Sequence, residues 1–312
     1  MKTVIAIGEP LIEFTQSDAD ADIYRRGLGG DTLNTAVYLA RLIGPGAVSY
    51  MTRLGKDTQS RWIIETLSQN GVGCGLLRQS ETGAPGISMI ECDATGERSF
   101  TYWRSQSPAR QMFALDDGED LALDKAEGLF VSAVTLAIIE PAGRERLYNA
   151  MKRARARGAD IWLDLNYRPQ LWNSASVARE TIARFIKLAS TVLPSFDDVA
   201  ALWGADTPEA GLEVLSSLGA TEILLKTGGG PVYHRDPDGT LKVPMLRNER
   251  PVDTTGAGDS FNAGYIAARL TGKPVSEAIE LGHELASVVI LHKGAIIPRA
   301  AMPAMSEESE AV

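Results

Sequence analysis

The segment 253–261, with the sequence Asp-Thr-Thr-Gly-Ala-Gly-Asp-Ser-Phe, places a glycine-rich turn where a helix is predicted to begin. The small residues Gly256, Ala257 and Gly258 let an anion approach the backbone closely. The first amides of a helix have no partner within the helix, and the helix dipole is positive at that end. The turn therefore predicts an anion hole that suits a phosphate group.

Asp259 stands just inside this predicted helix. A simple anion-binding role does not suit it, because its negative charge would weaken the binding of a phosphate. It suits a general base that takes a proton from an attacking hydroxyl. An anion hole beside a base predicts phosphoryl transfer to an alcohol.

A second motif is Gly-Gly-Asp-Thr-Leu-Asn at 29–34, which leads into an amphipathic helix. Its free amides and the side chains of Asp31 and Asn34, together with Gly30, suit the hydroxyls of a sugar. The alternative is an ordinary helix start, with Asp31 or Thr32 as the N-cap.

Two further motifs follow predicted strands, where open α/β sheets bind their ligands. The first contains Asn166, Tyr167 and Arg168, and Arg168 could pair with a carboxylate or a phosphate. The second runs from Lys226 and Thr227 into Gly228, Gly229 and Gly230. The alternatives are a surface arginine for the first and a flexible connection for the second.

Residues 87–104 are predicted to form a β-hairpin, with strands at 86–91 and 98–103 around a turn at 93–96. With residues 9–26, which lack a helical period, they predict a small β-sheet lid that shields a reaction from water. Tyr102 and Arg104 share one face of a strand and could clamp a polar substrate. The alternative is a cross-strand pair with an extended arginine.

The chain has 312 residues, 44% of them hydrophobic and 23% charged, which suits one large α/β domain. From about residue 125, apolar runs alternate with amphipathic ones, which indicates a parallel sheet covered by helices on both faces. The predicted strands are 128–134, 160–165, 191–194 and 221–226, and the predicted helices are 143–157, 174–189 and 208–218.

A formal net charge of −9 argues against a nucleic-acid partner. The basic run at 152–157 ends at Gly158 and is interpreted as a helix C-terminus. Two cysteines do not make a disulfide framework, and no apolar run is long enough for a membrane helix. His283 and His292 fall on a predicted helix at 276–291 and are assigned no catalysis. We expect a cytoplasmic protein with an acidic, disordered tail at 301–312.

Taken together, the motifs at 29–34 and 253–264 resemble the two signatures of the ribokinase-like carbohydrate kinases. The resemblance covers roughly residues 4–299. Within that family the chain is most similar to the sugar-acid kinases of 2-keto-3-deoxygluconate, through residues 30–34, 102–104, 166–172 and 294–299. The resemblance implies a three-layer α/β/α sandwich at 1–300 with a small β-sheet lid near 9–26 and 87–104.

The resemblance also implies ATP-dependent phosphorylation of the terminal hydroxyl of the sugar acid, with Mg²⁺. Asp259 would be the base, and residues 256–258 would form the anion hole. The sugar acid would be held by Gly30, Asp31, Asn34, Tyr102, Arg104, Arg168 and Asp259. The nucleotide would be held by Asn166, Tyr167, Arg168, Lys226, Thr227, Gly228, Gly229, Gly230, Gly256, Ala257 and Gly258.

The segment that organises magnesium departs from the family pattern. Many relatives have Asn-x-x-Glu there, and this chain has Ser-Phe-Asp-Asp at 195–198, so Asp198 is the candidate replacement. The family also implies a monovalent cation such as K⁺ near Asp253 and a homo-oligomer joined through the lid. A fructokinase, a ribokinase, a 5-keto-2-deoxygluconate-type kinase, a nucleoside kinase and a non-catalytic sugar-binding protein remain as alternatives.

Overall fold

The computed structural model describes residues 2–17, 20, 22–92, 98–115, 117–246, 248 and 250–303. The strands in chain order are β1 Val4–Ile7, β2 Leu11–Gln16, β3 Tyr24–Gly29, β4 Val48–Leu54, β5 Leu77–Gln79, β6 Gly86–Cys92, β7 Arg98–Trp103, β8 Gly128–Ser132, β9 Asp160–Asp164, β10 Thr191–Val192, β11 Ile223–Leu225, β12 Val232–Asp236 and β13 Gly239–Val243. The helices are α1 Asp31–Ile43, α2 Thr58–Gln69, α3 Ala133–Ile138, α4 Pro141–Ala156, α5 Ala175–Ile186, α6 Phe196–Trp203, α7 Pro208–Ser217, α8 Ala257–Leu270 and α9 Val275–Val289.

Nine strands form the main sheet in the order β13-β12-β11-β10-β9-β8-β1-β4-β5. Seven neighbouring strands of this sheet pair in parallel, namely β11, β10, β9, β8, β1, β4 and β5. Strands β12 and β13 add an antiparallel edge. Parallel strands need crossover connections, and here helices supply most of them. The α/β class predicted from the alternation of apolar and amphipathic runs is confirmed.

Helices cover both faces of this sheet, and each face has its own hydrophobic core. Successive residues of β1 alternate between the cores, because side chains along a strand point to opposite faces: Ile5 and Ile7 belong to one core and Val4 and Ala6 to the other. The first core contains buried residues of α3 to α7, and the second contains buried residues of α1, α2, α8 and α9. The result is the expected three-layer sandwich.

A second sheet of four strands, in the order β3-β2-β6-β7, forms the predicted lid. Its hairpin pairs β6 with β7 in antiparallel register, as expected, and the predicted turn at 93–96 lies outside the described residues. Strand β2 joins the two lid segments, since it pairs with β3 on one side and in parallel with β6 on the other. Residues 8–10 connect β1 directly to β2, so the lid is tied to the centre of the main sheet.

One local prediction was wrong, and one alternative is ruled out. The strand predicted at 128–134 ends at Ser132, whose hydroxyl accepts a hydrogen bond from the amide of Thr135 and begins α3. The N-cap of α1 is Gly30 (φ 122°), with no side-chain cap, and not Asp31 or Thr32. An added Cβ at Gly30 would lie 2.5 Å from the carbonyl oxygen of Glu9, so close backbone approach explains the glycine.

The basic run at 152–157 does close a helix, since α4 ends at Ala156 and Gly158 follows with φ of +90°. The disorder predicted for 301–312 is wrong at its start, since Ala301 ends a 3-10 turn and packs with Met302 against the second core; residues 304–312 lie outside the described residues. Within the described part of the chain, no helix combines the length and apolarity needed to cross a membrane.

Candidate active site

The carboxyl-terminal ends of the parallel strands meet at one edge of the main sheet, where open α/β folds bind ligands. Glu9 follows β1, Asp164 ends β9, and Lys226 follows β11. These side chains line a cavity of about 900 Å³ between the main sheet and the lid. We call it the polar cavity. Its other lining residues include Gly30, Asp31, Asn34, Ser88, Tyr102, Arg104, Asn166, Arg168, Asp198, Gly256, Gly258 and Asp259.

A second cavity, of about 640 Å³, adjoins the first and is mainly apolar. We call it the apolar cavity. Its lining residues include Thr227, Gly228, Gly229, Gly230, Val232, Met245, Leu246, Phe261, His283 and Ile290. Ser195, Lys226, Thr254 and Gly258 line both cavities. A group passed from one cavity to the other would therefore cross beside Lys226 and the start of α8.

The first turn of α8 stands at this junction. Its N-cap, Gly256, has a left-handed φ of 76°, and an added Cβ there would lie 2.8 Å from the carbonyl oxygen of Ala295. The amide of Ala257 donates to the carbonyl of Thr254 at 3.2 Å. The amides of Gly258 and Asp259 have no carbonyl one turn earlier within the helix, and they are the groups best placed to receive an anion.

Asp259 is held by α1. The amide Nδ2 of Asn34 donates to Asp259 Oδ2 at 2.8 Å, and the hydroxyl of Thr35 donates to the Asp259 carbonyl at 3.2 Å. Burial raises the pKa of the Asp259 carboxyl well above its ordinary value, and the nearby carboxylates of Asp31 and Asp164 raise it further. The bond from Asn34 and the charge of Lys226 oppose this shift. A raised pKa makes Asp259 a stronger base once it is ionised.

A buried polar network lies beneath the junction. Lys226 Nζ donates to Asn262 Oδ1 at 2.6 Å and to the Leu193 carbonyl at 2.9 Å, and it lies 3.7 Å from Asp164 Oδ1. Asn262 Nδ2 donates to Asp164 Oδ2 at 3.1 Å. Burial raises the pKa of Asp164 to about 6, against the attraction of Lys226. The network fixes the Lys226 ammonium where both cavities reach it.

The polar cavity is closed on its other sides by α1, by the segment after β9 and by the lid. Asn166, which has a positive φ of 24°, donates from Nδ2 to Asp31 Oδ2 at 2.9 Å. On the lid, Arg104 Nε donates to Glu9 Oε2 at 2.8 Å, and Arg104 Nη2 also contacts that oxygen. Arg104 also stands 5.7 Å from the ring centroid of Tyr102.

Arg168 differs from Arg104 in its surroundings. It is exposed at the rim of the polar cavity, and its Nη1 donates to the carbonyl of Tyr167 at 3.1 Å. None of the ion pairs found among the described residues includes Arg168. The charge of Arg104, in contrast, is matched by the buried carboxylate of Glu9.

Asp198 lies in the first turn of α6 and is 9% exposed. Its Oδ1 accepts from the amide of Tyr167 at 2.9 Å, and its Oδ2 accepts from the hydroxyl of Ser195 at 2.7 Å. In the part of the chain that the structure describes, no three His, Cys, Asp or Glu side chains are grouped to hold a metal ion. Asp198 therefore has no partner carboxylates with which to form a protein-only metal site.

The structure brings the two helix-entry motifs, Tyr102 and Arg104 of the lid, and Lys226 together around the polar cavity. Thr227 and the three glycines after it line the apolar cavity. Asn166, predicted to hold the nucleotide, and Arg168, predicted to hold both the nucleotide and the sugar acid, line the polar cavity. Tyr167 is 6% exposed and lines neither cavity, so its backbone amide holds Asp198 and its side chain packs in the core.

Sequence reasoning missed several residues at the site. Glu9, Ser88 and Asn262 line or support the cavities, and His283, interpreted as packing, lines the apolar cavity. Asn262 falls within the motif at 253–264, so its position one turn after Asp259 was an available signal. Glu9 directly follows a buried strand, where ligand-binding residues are expected, but nothing nearby in sequence marks its partner.

Two cavities that meet at a helix N-terminus beside the carboxylate of Asp259 are the arrangement expected of a phosphotransferase with an alcohol acceptor. The chain belongs to the pfkB family of carbohydrate kinases, whose family model matches residues 1–302. It is 38% identical over 312 residues to the 2-dehydro-3-deoxygluconokinase of Escherichia coli K12, an alignment that covers 97% of this chain and 99% of that protein.

Solved structures agree on the fold. The PfkB protein from Polaromonas sp. JS666 superposes with a TM-score of 0.81 at 27% identity, covering 96% of this chain and 98% of that one. A putative ribokinase II from E. coli, solved with ATP and Mg²⁺, superposes with a TM-score of 0.83 at 20% identity, covering 97% of this chain and 96% of that one. The ribokinase-like fold expected from the motifs is thereby confirmed.

Two glycines at the start of α8 should respond differently to alanine. We expect Gly256→Ala to lower the free energy of unfolding by about 1–3 kcal/mol, because it forces a left-handed residue against the Ala295 backbone. An added Cβ at Gly258 meets no atom within 4 Å. Gly258→Ala should therefore keep its melting temperature but lose about 10²-fold in turnover, since its methyl group would displace a bound phosphate. Thermal unfolding and steady-state kinetics of both variants test this contrast, which equal behaviour of the two would contradict.

The pH profile of kcat/KM should depend on Asp164. With Asp259 as the predicted base, activity requires its ionised form and should fall as the pH decreases through its raised pKa. Asp164→Asn removes one of the charges that raise this pKa, and the acid limb should move to lower pH. Asp160→Asn, at the opposite end of β9, is the matched control and should leave the limb in place. An acid limb that stays put in Asp164→Asn, or moves to higher pH, would refute the coupling.

Proposed function

We propose that this protein is a sugar-acid kinase that transfers the γ-phosphoryl group of ATP to the terminal hydroxyl of 2-dehydro-3-deoxygluconate (2-keto-3-deoxygluconate), giving the 6-phosphate. The observation that carries the proposal is a base, Asp259, at the junction of a polar and an apolar cavity, with a cationic rim on the polar side. The 2-dehydro-3-deoxygluconokinase of E. coli K12, which aligns over nearly the full length of both chains, supports this substrate.

The apolar cavity suits the nucleoside of ATP. Its wall of Val232, Met245, Leu246 and Ile290 offers apolar surface for a base, and Thr227 and Gly228 to Gly230 lie along it. Gly228 and Gly229 have positive φ and no side chain between the backbone and the cavity. The phosphates would then extend toward Lys226 and the amides at the start of α8, which attract negative charge.

The polar cavity suits the acceptor. Its terminal hydroxyl would lie against Asp259, whose carboxylate is oriented by Asn34. As the hydroxyl oxygen attacks the γ-phosphorus, Asp259 takes the hydroxyl proton, and ADP leaves toward the apolar cavity. Lys226 and the first amides of α8 face the charge that develops on the transferred group. Positioning and electrostatic stabilisation would therefore supply most of the rate.

Mg²⁺ fits this site as a companion of the nucleotide. The carboxylates of Asp164, Asp197 and Asp198 line the polar cavity near the junction, but they are not grouped as a metal cage among the described residues. Mg²⁺ in kinase sites is usually held by phosphates and water with one or two carboxylates, and Asp198 is the candidate here. When bound, the ion would neutralise phosphate charge, and these aspartates would hold its water ligands.

Three further expectations belong to this proposal. A monovalent cation such as K⁺ would bind near Asp253, whose carboxylate already accepts the amides of Thr255 and Gly294. A homo-oligomer would form through the lid, because Trp103 is 56% exposed on β7, which is an edge strand of the described lid sheet. The location would be cytoplasmic, where ATP is available.

A coupled assay of ADP release with Mg·ATP should separate this function from its alternatives. We expect turnover on 2-dehydro-3-deoxygluconate or its galactonate epimer, and little on fructose, ribose or adenosine. Asp259→Asn should bind the acceptor but lose ~10²–10⁴-fold in kcat, the contribution of a general base. Turnover confined to fructose or ribose would overturn the substrate, and near-normal turnover of Asp259→Asn would overturn the base.

The two arginines of the polar cavity should differ in their effects. Arg168→Ala should raise the KM for the sugar acid ~10-fold or more, because a charge-assisted bond is lost, with little change in melting temperature. Arg104→Ala should also lower the melting temperature, because Glu9 would stay buried without its partner. The KM for ATP is the internal control: if it rises in Arg168→Ala while the acceptor KM does not, Arg168 serves the nucleotide.

A further inference from the structure

Three buried polar atoms of residues that line the polar cavity have no hydrogen-bond partner among the described residues. They are Glu9 Oε1, Asn34 Oδ1 and Ser88 Oγ. Their residues are 2%, 3% and 2% exposed. Most buried polar groups in proteins are hydrogen-bonded, and leaving one unpaired is costly, so three around one cavity point to a ligand that supplies the missing bonds.

Glu9 is the most telling of the three. Both contacts from Arg104, through Nε and Nη2, go to its Oε2 and leave Oε1 without a hydrogen-bond partner among the described residues. An added Cβ at Gly86 would lie only 2.8 Å from Glu9 Oε1. The absence of a side chain at Gly86 therefore makes space for this oxygen. Gly86 and Ser88 lie on the same face of β6, because they are two residues apart.

The ion pair with Arg104 favours the ionised form of the Glu9 carboxylate. Burial raises its pKa, while the charges of Arg104 and Arg110 and the hydroxyl of Ser107 act in the opposite direction. Among its neighbours, the direct partner of the carboxylate is Arg104. An ionised carboxylate oxygen only accepts hydrogen bonds, so Oε1 requires a donor.

The chemistry of the acceptor limits what that donor can be. Neither the carboxylate nor the keto group of a 2-keto-3-deoxy sugar acid can donate a hydrogen bond. Its terminal hydroxyl is committed to Asp259. In the open-chain keto form the remaining donors are the secondary hydroxyls at C4 and C5, and the polar cavity that Glu9 lines is the one that contains Asp259.

We propose that Glu9 is a specificity-determining residue, whose Oε1 accepts a secondary hydroxyl of the acceptor while its Oε2 holds Arg104 in place. This rests on the proposed function for the identity of the acceptor. Asn34 Oδ1 and Ser88 Oγ complete a subsite for hydroxyl groups. The negative carboxylate of the substrate is left to Arg168, since the charge of Arg104 is already matched.

The test compares Glu9→Gln with the wild type on three acceptors: the full 2-dehydro-3-deoxygluconate, its 4-deoxy analogue and its 5-deoxy analogue. If Glu9 accepts one of these hydroxyls, removing either partner abolishes the same bond. We expect Glu9→Gln to lower kcat/KM ~10–100-fold on the full substrate and by less than ~3-fold on one of the analogues, on the scale of hydrogen bonds to charged groups. Glu91→Gln, on the other face of β6, is the matched control and should change none of the values.

An equal loss of kcat/KM on all three acceptors would overturn the proposal, because Glu9 would then act only through Arg104 or hold water. An unchanged kcat/KM would overturn it as well. If Glu9→Gln does not fold, Glu9→Asp replaces it, because it keeps the charge but shortens the side chain by one methylene group. It should also lose less kcat/KM on one of the deoxy analogues than on the full substrate. If the wild type phosphorylates neither keto acid but accepts a neutral sugar, the proposed function fails, and Glu9 is tested on deoxy analogues of that sugar.

Discussion

The contact between helices α1 and α8 is the constraint on which the site depends. The first turn of α8 leaves the amides of Gly258 and Asp259 without a carbonyl one turn earlier and also carries the Asp259 carboxylate, so a neighbouring element must hold that carboxylate in place. Helix α1 meets the need from outside, through the bond of Asn34 to the Asp259 carboxylate. Tyr38 of α1 extends the clamp, since its hydroxyl donates to the Ala295 carbonyl at 2.6 Å and accepts the Ile297 amide at 3.0 Å. Gly256 then fits against Ala295 because it has no side chain.

The site concentrates negative charge where it must bind two anionic substrates. Burial is the largest cause of the raised pKa of both Asp164 and Asp259; the carboxylate of Asp31 raises both pKa values further, and Asp164 raises that of Asp259. Each of these carboxylates accepts a hydrogen bond from an asparagine amide, which stabilises it: Asn34 donates to Asp259, Asn166 to Asp31, and Asn262 to Asp164. Amide donors hold carboxylates in place without neutralising them, so the carboxylates keep the basicity that proton transfer requires.

The three cationic side chains at the site differ in how firmly they are held. Lys226 is tied to Asn262 at the junction of the cavities, Arg104 is tied to Glu9 beneath the lid, and Arg168 stays exposed at the rim. A fixed lysine suits a phosphoryl group whose path does not vary, whereas an exposed arginine can follow an entering carboxylate. The short connection from β1 to β2 contains Glu9. This connection therefore both fixes the lid to the main sheet and places the Glu9 carboxylate in the polar cavity.

Local sequence determined much of this protein. Glycine-rich turns, strand ends and helix starts are encoded by neighbouring residues, so the motifs at 29–34, 226–230 and 253–261, the lid hairpin and the sandwich could all be predicted. The partners of those residues could not, because Asn34 and Asp259 are 225 residues apart and Glu9 and Arg104 are 95 apart. The tertiary structure alone decided that Arg104 is paired with Glu9, that Asn166 lines the polar cavity and that Tyr167 is buried. Hydrogen bonds and charge pairs act over a few ångströms in space, and only the folded sheet brings such distant residues within that range.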